Sequence, residues 1–273
     1  MEMAKESKIT VIIPARNEES TVGKIVSELV SRYCLDDDQI INLVVIDDHS
    51  NDGTAEIAKQ FGAKVVSRSD PNKSNGKAET VLEGITQFPS DIYVLFDADV
   101  SNFSPIWLEQ LCKPLEDPSV ILSKATYHRP IANPDSNAER FFEGGRVTEL
   151  VARPLLSLFF PELARFGQPL SGEVAFRHIL VESSTFSAGY GIDVGILIDA
   201  YLKFSIESIQ EVDLGQRTHS HQELSALSSQ ALQVASAIMQ RAGMDITSAP
   251  GFEKLIRPGS PDENVPLGEL RIR

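Results

Sequence analysis

The segment Thr10-Val-Ile-Ile-Pro-Ala-Arg-Asn-Glu18 sets the pattern that the first half of the chain repeats. Its apolar residues 10–14 are typical of a buried strand, and the polar residues after them form a charged loop rather than a tight turn. Apolar residues then recur at helical spacing between Val22 and Val30. We therefore predict a strand, a charged loop and a helix, in that order.

The same alternation continues along the chain to residue 97. Because no hairpin signal separates the strands, it predicts an α/β fold with a mainly parallel sheet and helices on both faces. Ligands of such sheets bind beyond the carboxyl ends of the strands. The predicted elements are strands over residues 41–47, 63–67 and 91–97 and helices over residues 54–61 and 77–86.

The second half of the chain is less regular. Its Pro- and Gly-rich end, residues 249–273, is predicted to be a loosely packed tail. The elements predicted before it are strands over residues 120–124 and 206–214, a long helix over residues 138–158, and helices over residues 192–201 and 224–239.

Composition excludes several classes of protein. The chain has 273 residues, of which 42% are hydrophobic and 23% charged, as in ordinary globular proteins. Its formal charge of -14 repels nucleic acid and anionic membranes. No run approaches the roughly 20 apolar residues of a membrane span, and the two cysteines, Cys34 and Cys112, suggest a reducing compartment. We expect a cytoplasmic protein without nucleic-acid or membrane partners.

Acidic residues follow two of the predicted strands. Asp97-Ala98-Asp99 ends an apolar strand, and two such carboxylates can face a divalent cation that neutralises a diphosphate. On its own this motif is weak, since acidic turn residues after strands are common. Asp47 and Asp48 follow another strand, however, where a carboxylate suits hydrogen bonding to a uracil imide or to ribose hydroxyls. The pair of motifs favours a nucleotide site.

These segments resemble the nucleotide-sugar half of family 2-type GT-A glycosyltransferases. The matching residues are 11–19, 45–54, 76–79 and the strand that ends at 97–99. Four segments of the second half are similar to glucosyl-3-phosphoglycerate synthases, namely residues 145–156, 168–173, 189–195 and 212–219.

The resemblance implies an enzyme that transfers glucose from a nucleotide diphosphate sugar to D-3-phosphoglycerate with retention of configuration. It also implies Mg²⁺ or Mn²⁺ as cofactor and a homodimer. Residues 1–125 are then the nucleotide-sugar-binding half, residues 126–248 the acceptor-binding and metal-completing half, and residues 249–273 the tail.

The resemblance also assigns roles to individual residues. Donor binding falls to Pro14, Ala15, Arg16, Glu18, Asp48, Lys77, Asp97, Ala98, Asp99 and Leu170. Acceptor binding falls to Gly145, Arg146, Thr148, Arg217 and His221. The metal ligands are Asp99 and His219, and the catalytic residues are Asp193 and Lys77.

The side-chain chemistry agrees with these roles. An arginine such as Arg146 offers a planar fork to phosphate or carboxylate, and Gly145 lets backbone amides approach the same anion. Lys77 at a predicted helix start opposes the helix dipole, which favours a functional reason for it. Together with a metal and Arg217, these cations would form a positive pocket in an acidic protein.

Two residues depart from the family pattern. Asp193 stands where the family usually has Glu, and His221 stands where it usually has Asn. Donor and acceptor identity therefore stay open at this point: UDP or GDP, glucose or mannose, and phosphoglycerate, glycerate or another small acid. A non-catalytic nucleotide-sugar-binding protein is a further alternative. A dehydrogenase is excluded, because no Gly-x-Gly-x-x-Gly follows the first strand.

Overall fold

A seven-stranded sheet forms the centre of the molecule, with strand order β3-β2-β1-β4-β6-β5-β8. The computed structural model describes residues 7–33, 41–68, 76–128, 145–218 and 227–272. The sheet strands are β1 (Ile9–Ala15), β2 (Ile41–Asp47), β3 (Lys64–Ser67), β4 (Ile92–Leu95), β5 (Leu122–His128), β6 (Val174–Arg177) and β8 (Ile209–Gln216).

The prediction of a mainly parallel α/β sheet is confirmed, with one exception. Strands β3, β2, β1 and β4 pair in parallel, as do β5 and β8. Only β6 is antiparallel to both of its neighbours, β4 and β5, among the strands that the structure describes for this sheet. The sequence did not predict β6, because its four residues are too few to show a period.

Helices cover both faces of the sheet, so each strand is buried on two sides. In β1, Ile12 belongs to one apolar core, while Val11 and Ile13 belong to the other. The first core is completed by helices α3, α5, α7 and α8, and the second by α1, α2 and α4. The helices are α1 (Val22–Tyr33), α2 (Thr54–Gln60), α3 (Lys77–Gln87), α4 (Ile106–Cys112), α5 (Arg153–Phe159), α6 (His178–Ser183), α7 (Ile192–Phe204) and α8 (Leu227–Arg241).

The long helix predicted over residues 138–158 is only partly described. Its described end contains a π-helical turn, Thr148–Ala152, which leads into α5. Pro154 lies within a run that is helical without a break from residue 146 to 159. It has no N–H to donate to the preceding turn, and the wider π-helical turn just before it accommodates the proline. The wider turn therefore comes just before a proline that marks the start of a regular helix.

The end of the chain is more tightly held than its composition predicts. Val265 and Leu267 are buried against the rest of the molecule. Two short antiparallel pairs lie in this region, and one of them ties it to the second half of the chain. The paired strands are β7 (Phe186–Ser187) with β11 (Glu269–Leu270), and β9 (Lys254–Leu255) with β10 (Glu263–Asn264). None of the helices in the described ranges is long and apolar enough to cross a membrane.

Candidate active site

Polar side chains collect at the edge of the sheet where its parallel strands end. β1, β2, β4, β5 and β8 all run toward this edge, whereas antiparallel β6 starts from it. The segments that follow β4 and β8 therefore lie next to the segment that precedes β6. This topology brings Asp97, Glu173 and Arg217 together from three distant parts of the sequence.

The loops after β1 and β2 are interlocked by hydrogen bonds. The backbone N–H of Asn17 donates to Ser50 Oγ at 2.9 Å, and the Asn17 side-chain oxygen accepts from the N–H of Asn51 at 2.8 Å. The N–H of Glu18 donates to Thr54 Oγ1 at 2.8 Å. Asn17 has a φ of 57°, a conformation that asparagine tolerates better than most residues. The predicted donor residues 14–18 are thereby held next to the loop of Asp48.

Asp48 is a buried carboxylate in contact with the side chains of Arg68 and His49. Arg68 Nη1 lies 2.7 Å from Asp48 Oδ1, and His49 Nδ1 lies 3.2 Å from the same oxygen. The adjacent Asp47 Oδ1 is buried and accepts no hydrogen bond from the described residues. Buried polar atoms are nearly always satisfied, so this oxygen is suited to a donor group of a bound nucleotide.

Lys77 lies between two carboxylates, one from each half of the chain. Its Nζ is 2.7 Å from Asp97 Oδ1 and 2.9 Å from Asp193 Oδ1. Burial alone would lower the pKa of Lys77, but Asp193 and Asp97 raise it above its usual value. Although burial by itself would raise the pKa of Asp97, Lys77 and Arg217 hold it well below the usual range. The Lys77–Asp97 pair is therefore charged at neutral pH.

Asp193 is a buried predicted site residue in the first turn of α7. Burial raises the pKa of its carboxyl, while Lys77 and Lys124 act in the opposite direction. Lys77 thus joins the donor-side residue Asp97 to a carboxylate contributed by the second half of the chain. The two predicted catalytic residues, Lys77 and Asp193, are in direct contact.

Arg217 contacts three carboxylates at this edge, one of which is Asp97. Its Nη2 is 2.8 Å from Asp97 Oδ2 and 3.1 Å from Asp99 Oδ1, and its Nε is 2.9 Å from Glu173 Oε1. Its guanidinium also lies over the ring of Tyr127, 5.3 Å from the centroid. Arg217 is buried and fully engaged by these groups. Two of its partners, Asp97 and Asp99, are predicted donor residues, and its own acceptor-binding role stays a prediction.

Asp99 lies among carboxylates that repel it. Burial and the neighbouring Asp97 raise the pKa of Asp99, and burial and Asp99 raise that of Glu18. A divalent cation would relieve this repulsion, and carboxylate oxygens are ligands that Mg²⁺ and Mn²⁺ accept. The residues present therefore fit a metal at Asp99. Within the described part of the chain no group of three or more His, Cys, Asp or Glu side chains is placed to hold one, and the predicted ligand His219 lies outside that part.

The loop of residues 168–173 packs directly onto the Asp97 carboxylate. A Cβ at Gly172 would overlap that carboxylate, so only glycine allows this approach. Leu170, predicted to bind the donor, is half-buried in the same loop and packs against the first core. The loop therefore forms one wall of the site around Asp97 and carries Glu173 at its end.

The predicted acceptor residues lie at the start of the helical segment before α5. Gly145 is half-buried, Arg146 is exposed, and Thr148 is buried at the beginning of the π-helical turn. Of the other two predicted acceptor residues, Arg217 follows β8 and His221 lies outside the described residues. Arg146 and Thr148 are thus presented from the end of a helix rather than from the sheet edge.

Comparison with known proteins shows which family this chain resembles. The family model "Glycosyl transferase family 2" matches residues 10–178. The glucosyl-3-phosphoglycerate synthase of Petrotoga mobilis is 41% identical over 87% of this chain and 74% of its own length. That of Mycobacterium tuberculosis is 35% identical over 97% of this chain and 82% of its own length.

The chain belongs to the glucosyl-3-phosphoglycerate synthase family, within glycosyl transferase family 2. Crystal structures of the mycobacterial enzyme have the same fold. Its complex with Mn²⁺, UDP-glucose and phosphoglyceric acid superposes with a TM-score of 0.84, is 32% identical, and covers 99% of this chain and 92% of the crystallised one. The GT-A fold and the glycosyltransferase class are therefore confirmed.

Three charged residues of this family member escaped the sequence analysis. Glu173, Lys124 and Arg68 each contact or flank a predicted site residue. Glu173 ends a segment that resembles the family, which was a usable signal. Lys124 ends an otherwise apolar predicted strand, where a buried charge is unusual enough to be noticed. Arg68 follows β3 and carried no signal that separates it from a solvated surface arginine.

Proposed function

We propose that this chain transfers glucose from UDP-glucose to D-3-phosphoglycerate and so makes glucosyl-3-phosphoglycerate. The observation that carries this proposal is the similarity over nearly the whole chain to the mycobacterial enzyme, whose complexes contain Mn²⁺, UDP-glucose and phosphoglyceric acid. The donor loops and the second-half carboxylate, Asp193, meet at one edge of the sheet, as a two-substrate reaction requires.

We infer that the nucleotide binds at the loops after β1 and β2. Arg68 pairs with the Asp48 carboxylate, and the neighbouring Asp47 Oδ1 is buried without a hydrogen-bond donor among the described residues. Pro14 and Ala15 end β1, Arg16 and Glu18 follow in the interlocked loop, and Ala98 and Leu170 belong to the walls around Asp97. We propose these residues as the base, ribose and sugar contacts of the donor.

We infer that the transfer step depends on how this chain holds its charges. A divalent cation at Asp99 would neutralise the diphosphate as its negative charge grows. Arg217 keeps Asp97 and Asp99 at a fixed separation, and Lys77 keeps Asp97 and Asp193 together. We propose that Asp193 positions the sugar and the acceptor, and that Gly145, Arg146 and Thr148 receive the acceptor's phosphate or carboxylate. The oligomeric state and cellular compartment stay proposals: a homodimer in the cytoplasm.

The experiment is a matrix of donors against acceptors. UDP-glucose, GDP-glucose, UDP-mannose and GDP-mannose are each incubated with 3-phosphoglycerate or glycerate and Mn²⁺, and new glycosides are identified by mass and NMR. We expect glucosyl-3-phosphoglycerate, with the donor's anomeric configuration, as the main product from UDP-glucose. Preference for a mannose donor, preference for glycerate, or binding without turnover would each overturn the proposal. Light scattering in the same buffer tests the homodimer.

A further inference from the structure

Lys124 is a fully buried lysine that the proposed reaction does not use. It lies inside β5, with 0% of its surface exposed. Its Nζ donates to the backbone carbonyl of Ser171 at 2.8 Å and to that of Asp193 at 2.8 Å. A lysine at this depth loses its hydration, and an apolar side chain of similar size would fill the space at lower cost. The position therefore invites a reason other than packing.

The two carbonyls belong to the two segments that build the second-half side of the site. Ser171 precedes Gly172, whose backbone packs on the Asp97 carboxylate. Asp193 is in the first turn of α7, and its side chain contacts Lys77. One ammonium group thus joins the wall of Asp97 to the helix that carries Asp193.

The charges around Lys124 agree with a role in the site. Four charged groups influence it, namely Asp193, Lys77, Glu173 and Asp97. Burial lowers its pKa to about 8, and Asp193 counteracts that effect. Lys124 in turn favours the ionised form of the Asp193 carboxyl. The Lys124 ammonium group thus interacts electrostatically with the same carboxylates that pair with Lys77 and Arg217.

We propose that Lys124 is a positioning residue of the transfer reaction, which keeps Asp193 and the 168–173 loop in place around the Lys77–Asp97 pair. The expected effect on kcat rests on the proposed function. The expected effect on the position of Asp193 and of the 168–173 loop rests on the two hydrogen bonds alone. Lys124 acts on the sugar and acceptor through Asp193. The nucleotide loops after β1 and β2 make no contact with it among the described hydrogen bonds.

The test compares Lys124→Met with Arg177→Met. Arg177 is a matched control, since its guanidinium also donates to backbone carbonyls, those of Val120, Leu115 and Asp117, from the far end of β6. Displacing a catalytic group by about 1 Å can cost about 10²-fold in rate. We expect Lys124→Met to lower kcat by about that factor with UDP affinity within about threefold of wild type. Arg177→Met should lower Tm but leave kcat within about twofold.

A double variant separates positioning from general stability. If Lys124 acts through Asp193, adding Lys124→Met to Asp193→Ala should slow turnover by less than about threefold, because the two changes remove one function. A further loss of about 10²-fold in the double variant would overturn the proposal. So would an unchanged kcat in Lys124→Met. Should Lys124→Met fail to fold, Lys124→Gln, which keeps two N–H donors without the charge, carries the same comparison.

Hydrogen exchange tests the structural half without any turnover. In Lys124→Met, amides of residues 168–173 and of the first turn of α7 should exchange faster, whereas in Arg177→Met the faster exchange should fall near residues 115–121. If the wild-type protein showed no transfer activity, the proposed function would be wrong, but the exchange rates would still test the structural role of Lys124. Unchanged exchange in both site segments of Lys124→Met would overturn the role of Lys124 whatever the activity.

Discussion

The two sides of the candidate site are built on different principles. On the nucleotide side, the loops after β1 and β2 are joined by individual hydrogen bonds around Asn17, Ser50 and Thr54. On the transfer side, Lys77, Asp97, Asp193, Glu173 and Arg217 form a continuous chain of ion pairs. The first side also contains an ion pair, Arg68 with Asp48. The second is a linked set of charges that is largely buried, although Asp97 is only half-buried.

The difference implies that the two sides fail differently when changed. A loop held by several neutral hydrogen bonds loses about 1 kcal/mol when one of them is removed. A buried ion-pair chain that loses one member leaves an uncompensated charge, which costs about 3–5 kcal/mol. Donor binding should therefore tolerate the loss of one of these loop hydrogen bonds. Turnover should not tolerate the loss of one member of the ion-pair chain. The predictions below test this contrast.

The largest effect is expected at the metal site. Asp99→Ala should lower kcat by about 10² to 10³, the range for losing a main electrostatic stabiliser, and excess chelator should abolish wild-type activity. Rates at saturating UDP-glucose and 3-phosphoglycerate with Mn²⁺ measure both. Asp117→Ala, which removes an exposed turn carboxylate bonded to Ser119, is the control and should retain full activity. Full activity in excess chelator, or in Asp99→Ala, would contradict the metal assignment.

An intermediate effect is expected at Arg146. A charge-assisted contact to the acceptor phosphate contributes roughly 1.5–3 kcal/mol, or about 10- to 150-fold in kcat/KM. Arg146→Ala should therefore lower kcat/KM for 3-phosphoglycerate by that factor and kcat/KM for glycerate by much less. The affinity for UDP should hardly change. The measurement is kcat/KM for both acceptors at saturating UDP-glucose.

The control for Arg146 is Arg32→Ala. Arg32 is a half-exposed arginine on α1, on the opposite face of the sheet, where it pairs with Glu109 at 2.8 Å. It should leave the ratio between the two acceptors unchanged. Equal slowing of both acceptors in Arg146→Ala would place that residue outside acceptor recognition.

The smallest effect concerns the pH dependence of stability. Burial lowers the pKa of Lys124 to about 8 from an ordinary 10.5, so between these values the unfolded chain binds the proton and the folded protein does not. The free energy of unfolding of wild type, relative to Lys124→Met, should then rise with pH in this window by roughly 1 kcal/mol per pH unit. Below pH 8 the difference should be constant.

Urea denaturation of both proteins between pH 7 and 10 measures this difference. Groups common to both proteins cancel, including Cys112, whose thiol has its pKa raised by burial to about 12. A difference that stays constant between pH 7 and 10 would mean that Lys124 keeps its charge in the folded protein.

The contrast between the two sides also explains what the sequence could predict. Strand β2 was predicted with its observed bounds, Ile41–Asp47, because a local apolar run between polar loops is a local signal. The donor loops were predicted for the same reason. Glu173 and Lys124 were not, because their partners depend on the reversed direction of β6, which four residues do not reveal. Arg217 was predicted as a site residue, but its partners required the assembled sheet.

The most direct test of the account is a paired measurement on Asp193→Ala: the dissociation constant for UDP by calorimetry, and kcat with UDP-glucose and 3-phosphoglycerate. Asp193 contacts Lys77, which in turn pairs with Asp97. We predict a loss of about 10² or more in kcat, UDP affinity within about threefold of wild type, and substantial activity regained in Asp193→Glu. Normal turnover in Asp193→Ala, or a loss confined to UDP binding, would contradict the division of the site into a nucleotide side and a transfer side.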